Sequence, residues 1–137
     1  MNIVVYEERH FEGVDALWRR CFPNDPPRNQ AAQAIPAKLA MEDDLFLVAE
    51  DQSGRVIGTT MAGYDGHRGW LYTVAVDPEL QRAGVGRQMV DHALAELRER
   101  GCSKVNLQIR AGNEPVAAFY RDLGFVIEDR ISMGREI

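Results

Sequence analysis

Gln81, Gly84 and Gly86 form a tight group between an apolar run and an amphipathic one, with Arg82 and Arg87 at its flanks. Glycine at a helix start has an entropic cost, which points to a group that must come close to the backbone there. The first N–H groups of a helix lack intrahelical acceptors, and the helix dipole adds partial positive charge at the same end. Together they suit an anion, a phosphate or diphosphate above all. Side chains at positions 84 and 86 would keep such a ligand away, and the two arginines add charge-assisted donors. Two known phosphate loops do not match. A nucleotide loop needs four residues between its glycines and then Lys with Ser or Thr. The dinucleotide fingerprint needs a third glycine where Met89 stands. A ligand-free strand-to-helix turn would use the same glycines.

Asn113, ahead of Pro115, is a good helix cap. Val116, Phe119, Tyr120 and Leu123 follow at helical spacing, so periodicity alone makes Tyr120 a core aromatic. His10, His67 and His92 are scattered among Cys21 and Cys102 without metal-ligand spacing, so no metal is expected. No Gly-x-Ser-x-Gly elbow and no carboxylate pair suited to glycoside hydrolysis stands out.

These residues need a frame to hold them. The 137 residues suit one domain spanning 1–137, and the composition, 45% hydrophobic and 27% charged, is that of an ordinary globular chain. A net charge of −5 argues against a broad basic face for nucleic acid. No apolar run reaches the ~20 residues of a membrane-spanning helix. The N-terminus has no targeting pattern, so a cytoplasmic location with free thiols is expected.

Alternation and periodicity place a strand at 2–8, a helix from Phe11 to Cys21, an irregular proline-rich stretch at 22–30 and a helix at 31–42 that Pro36 kinks or splits. A hairpin at 45–50 and 56–64 follows, then a central apolar strand at 70–76. Next come a helix from about Gly84 to Arg100, a strand at 104–109, a helix after Asn113, and two closing strands after Gly124. Strand, helix, strand over 70–109 reads as a right-handed parallel crossover in a mixed α/β fold.

The stretch "VAVDPELQRAGVG", the long helix, the next strand and "NEPVAAFYRDLGF" together resemble the GNAT superfamily of acyl-CoA-dependent N-acyltransferases, over about two-fifths of the chain. The look is closest to ribosomal-protein N-terminal alanine acetyltransferases and their small bacterial relatives. The resemblance implies the GNAT fold, with the fourth and fifth strands splayed apart. It implies that the loop amides of Arg82, Ala83, Gly84, Val85, Gly86 and Arg87, with Gln81, hold the pyrophosphate of acetyl-CoA. Backbone of Val74 and Val76 then holds the pantetheine arm, and the amide near Val74 polarises the thioester. Asn113 binds pantetheine amides, and Tyr120 is the general acid toward the leaving thiolate.

The implied activity is acetyl transfer to a primary amine by direct attack, the acceptor being a peptide N-terminus or a small molecule. A Glu base of the closest branch is replaced by Gln108, so the candidates in its place are a water relay through Tyr72 or a backbone carbonyl and an acid from the first-helix region. Asp65, His67, Glu42 and Asp43 are spare candidates that also suit turns and helix ends. The competing reading is a non-catalytic CoA-binding module acting as sensor or assembly subunit; a nucleotide-phosphate binder is a second rival. The closing strands offer an edge on which a second copy could pair as a homodimer.

Overall fold

Largely apolar runs, buried on both faces in the centre, build a five-stranded sheet in the order β1 (Asn2–Val5), β2 (Phe46–Glu50), β3 (Val56–Tyr64), β4 (Gly69–Val76) and β5 (Val105–Asn106). The first three pairings are antiparallel and the last, β4 with β5, is parallel. In this computed structural model all of residues 1–137 are described, as two compact units, Met1–Leu107 and Gln108–Ile137.

The first unit holds the sheet and three helices: α1 (Phe11–Cys21), α2 (Ala31–Leu39) and α3 (Val85–Glu99). Helix α1 buries Val14, Leu17 and Trp18 in a core with Ile35 of α2, Phe46, Val48 and Met61. On the other face α3 buries Val85, Met89, Val90, Ala93 and Leu97. Gly58 permits that approach: a Cβ there would sit 2.8 Å from Met89 Sδ. The expected hairpin is present, its turn closed by Asp51 Oδ1, which accepts from the Ser53 and Arg55 amides at 2.9 Å each. The segment after β1 is tied to the end of β2 by Glu50, which accepts from Arg9 at 2.8 Å and from His10 Nε2 at 2.9 Å. His10 Nδ1 accepts the Glu7 amide at 2.9 Å, so the proton on its ring faces Glu50. Both cysteines are free thiols. No helix is long and apolar enough to cross a membrane.

The second unit contains α4 (Glu114–Asp122). Tyr120 is buried in it among aromatic rings, edge-on to Phe119 at 4.9 Å and to Phe125 at 5.5 Å.

Three expectations change. Pro36 does not split α2: the helix runs unbroken from Ala31 to Leu39, with the proline inside it and without the backbone bond that its missing N–H would have made. The fifth strand is two residues rather than six; it ends where its pairing with Trp70 ends. The closing strands are absent: residues 125–137 form neither strand nor helix, and Val126, Ile127, Ile131 and Met133 are exposed. Strand-forming side chains make a strand only where an edge receives their N–H and C=O groups.

Candidate functional site

The central strand stays open on one side. β4 meets β5 only at Gly69 with Val105 and at Trp70 with Asn106, so from Leu71 to Val76 it has no strand partner there. On its other side the ladder with β3 is interrupted. Thr59 pairs with Ala75 and Met61 with Tyr72, which leaves Thr73 and Val74 opposite the single Thr60. That is a β-bulge. Thr73 takes φ +52°, rare for a β-branched residue. Beyond the bulge the Asp77 amide donates to the Ile57 carbonyl at 2.9 Å. Neighbouring amides of a strand alternate in direction, so that of Val76 turns to the open side.

Asp77 then starts the loop. Its side chain is fully buried and caps a short 3-10 turn by accepting from the Glu79 amide at 3.0 Å. It also pairs with Arg55 at 2.7 Å and Arg20 at 3.2 Å. The backbone bond from Glu79, together with these half-exposed guanidiniums, holds its carboxyl below the usual carboxylate range despite burial. Two further turns, Leu80 N–H to Asp77 C=O at 2.8 Å and Ala83 N–H to Leu80 C=O at 3.2 Å, carry the chain to α3.

Gly84 is the cap of α3, in the left-handed region at φ +85°, and Arg82 is left-handed too at φ +72°. A Cβ on Gly84 would meet only Gln88 Nε2, at 3.9 Å, so the space before it is open. Gln88 N–H to Gly84 C=O, at 3.1 Å, opens the helical ladder. The amides of Gly84, Val85 and Gly86 come ahead of it, at the positive end of the dipole. The side chains of Gln81, Arg82, Ala83 and Arg87 are exposed, while that of Val85 is buried. Thus the structure brings Val74, Val76 and the run 81–87 together along one strand, loop and helix.

Tyr72 is exposed on β4, and Lys38 Nζ sits 5.6 Å from its ring centre. Buried Lys38 also donates to Asp43 at 2.8 Å and to the Ala62 carbonyl. Of the spare candidates, Asp43 is taken by this pair and by the Leu45 amide, while Asp65 closes its own turn by accepting from the His67 and Arg68 amides. Both act as turn residues.

In the second unit Asn113 caps α4, its Oδ1 accepting from the Val116 amide at 3.4 Å. Burial pushes the Tyr120 phenol up to about 12, so it holds its proton at neutral pH. Exposed Gln108 donates through Nε2 to Ser132 Oγ.

Sequence reasoning missed Asp77 with Arg20 and Arg55, the Trp18–Thr59–Thr73 chain, and Lys38. Asp-Pro-Glu carries a turn signal, and Thr59 and Lys38 are polar residues within apolar runs. Nothing local marks Arg20 or Arg55.

The family model of the Acetyltransferase (GNAT) family matches residues 11–125. An acetyltransferase of Pectobacterium atrosepticum is 36% identical over 137 residues, covering 100% of this chain and 96% of its own. Among solved structures, Ard1 from Thermoplasma volcanium aligns with a TM-score of 0.82 at 25% identity, over 93% of this chain and 83% of its own. AAC(6')-Iy in complex with the bisubstrate analogue CoA-S-monomethyl-acetylneamine shares the fold, with a TM-score of 0.78 at 19% identity over 99% of this chain and 97% of its own.

Proposed function

The chain belongs to the GNAT acetyltransferase family, and from that membership we propose that it moves an acetyl group from acetyl-CoA to a primary amine, a peptide N-terminus or a small molecule, by direct attack. The observation that carries this reading is the open edge of β4 running straight into a loop whose amides precede the first bond of α3. The residues fit the group. Open space before Gly84, the amides of Gly84 to Gly86 and the exposed Arg82 side chain suit a diphosphate. Gln81, Ala83, Val85 and Arg87 complete that loop.

Acetyl-CoA, when bound, supplies an acyl thioester. The backbone of Val74 and Val76 holds the pantetheine arm in the manner of an added strand. The Val74 amide polarises the acyl carbonyl. Asn113 caps its helix through Oδ1 alone, and its amide nitrogen serves the pantetheine. Tyr120, protonated at neutral pH, gives a proton to the departing thiolate. The incoming amine must lose its own proton. No carboxylate stands at Gln108, so the proton passes to bulk solvent through water, with Tyr72, exposed on β4, as the candidate relay.

The test is acetyl-CoA-dependent release of CoA thiol against a panel of peptide N-termini, polyamines and aminoglycosides. Turnover with one class names the acceptor. Tight acetyl-CoA binding without turnover on any of them makes the chain a binding module, the reading that Gln108 in place of an acid favours. Equal competition by ATP would remove the pantetheine contacts from the account.

A further inference from the structure

The bulge on β4 is held from behind. Trp18 and Thr59 are both buried, Trp18 on α1 and Thr59 on β3. The Trp18 indole Nε1–H donates to Thr59 Oγ1 at 2.8 Å. The Thr59 hydroxyl in turn donates to the Thr73 carbonyl at 3.3 Å. With its oxygen already accepting from the indole, that hydroxyl is free to turn its proton to Thr73.

The Thr73 carbonyl and the Val74 amide belong to one peptide unit. In a trans peptide the C=O and N–H point in opposite directions, and no peptide bond in this chain is cis. A carbonyl held toward β3 therefore turns the Val74 N–H away from β3, to the side where β4 has no strand partner. A β-branched residue at φ +52° does not keep that conformation unaided. Something in the surroundings must over-determine it, and the indole–hydroxyl–carbonyl chain is the contact at hand.

We infer that Trp18 and Thr59 are positioning residues, whose hydrogen-bond chain fixes the Thr73–Val74 peptide so that the Val74 N–H faces the acyl carbonyl. This rests on the acetyl-CoA reading above and adds to it two residues that touch no substrate. It also gives α1 a part in the reaction beyond filling the core.

The experiment uses acetyl-CoA, isotope-labelled at the carbonyl carbon, bound at saturation to this chain of 137 residues. Infrared difference spectra then isolate the carbonyl band. In the wild type the band moves to lower wavenumber than in free acetyl-CoA, because an N–H polarises the bond. Thr59→Val keeps the shape and removes both hydrogen bonds; the displacement should fall by at least half. Thr59→Ser keeps the hydroxyl and should restore it. With an acceptor from the screen, Thr59→Val should lower kcat about 10-fold or more with KM for acetyl-CoA nearly unchanged, as for a misaimed oxyanion donor. If Thr59→Val does not fold, Trp18→Phe removes the indole donor, together with part of a buried ring, and should reduce the displacement in part. A full wild-type displacement in Thr59→Val, or in Trp18→Phe where it stands in, overturns the inference while leaving the acetyl-CoA reading intact. Failure of the wild type to bind acetyl-CoA refutes that reading, and the inference with it.

Discussion

Gly84→Ala separates what the loop does for stability from what it does for the ligand. At φ +85° an alanine is held in the left-handed region, which costs about 1–2 kcal/mol. Reduced freedom of the unfolded chain offsets about 0.4–1 kcal/mol of that. The new Cβ meets nothing closer than Gln88 Nε2 at 3.9 Å, so no clash adds to the cost. The net loss is about 1 kcal/mol, a fall in Tm of roughly 3–5 °C for a chain of this size. Affinity for CoA should suffer more. The methyl group occupies the open space before the amides, and losing one charge-assisted bond is worth about 1.5–3 kcal/mol, or about 10–150-fold in Kd. Gly101→Ala is the matched control: it lies just past the far end of α3, also left-handed at φ +90°, with nothing within 4 Å of its Cβ. It should lose the same stability and no affinity. Thermal melts and calorimetric titration with CoA read both quantities. Equal affinities for the two variants would mean that no phosphate comes close to Gly84, and the loop assignment would fall.

Asp77→Asn should cost about 2 kcal/mol at neutral pH, near the low end for charged hydrogen bonds because both guanidiniums can rehydrate, and should weaken CoA binding by releasing the loop. Its carboxyl is held below the ordinary range, so its stabilisation is present above about pH 4 and is lost as pH falls through the folded value. The variant's Tm should therefore vary less with pH on the acid side, and an unchanged acid limb would contradict the buried clamp. Tyr120→Phe should lower turnover about 100-fold with acetyl-CoA affinity nearly intact; a wild-type rate in steady-state kinetics demotes Tyr120 to packing. The raised phenol pKa stabilises the fold below about pH 10, a contribution lost as pH climbs toward about 12, so the same variant should flatten the alkaline limb of a pH melt. Gln108→Glu should raise activity near neutral pH on whichever amine is accepted, and no change in a pH–rate profile would place the base elsewhere.

Helical periodicity, apolar runs and turn and cap residues located the helices and most of the sheet, because all of these are local properties of the chain. The β3 bounds Val56–Tyr64 and the Asn113 cap were legible in that way. So was the glycine loop, since glycine next to a helix start is a local signal of close approach. The fifth strand and the closing strands were not, because a strand exists only where a partner edge receives its hydrogen bonds, and that edge lies elsewhere in the chain.

The same reason hid the supports of the site. Arg20 and Arg55 reach Asp77 across 57 and 22 residues, and Trp18 meets Thr59 across 41. What the chain's own order determined was the kind of fold and the glycine loop at the start of α3, because turn and helix-start signals lie in neighbouring residues. What tertiary structure decided was the bulge at Thr73, the direction of the Val74 amide and the buried anchor of Asp77. These depend on contacts that form only when α1, β3 and β4 are packed together.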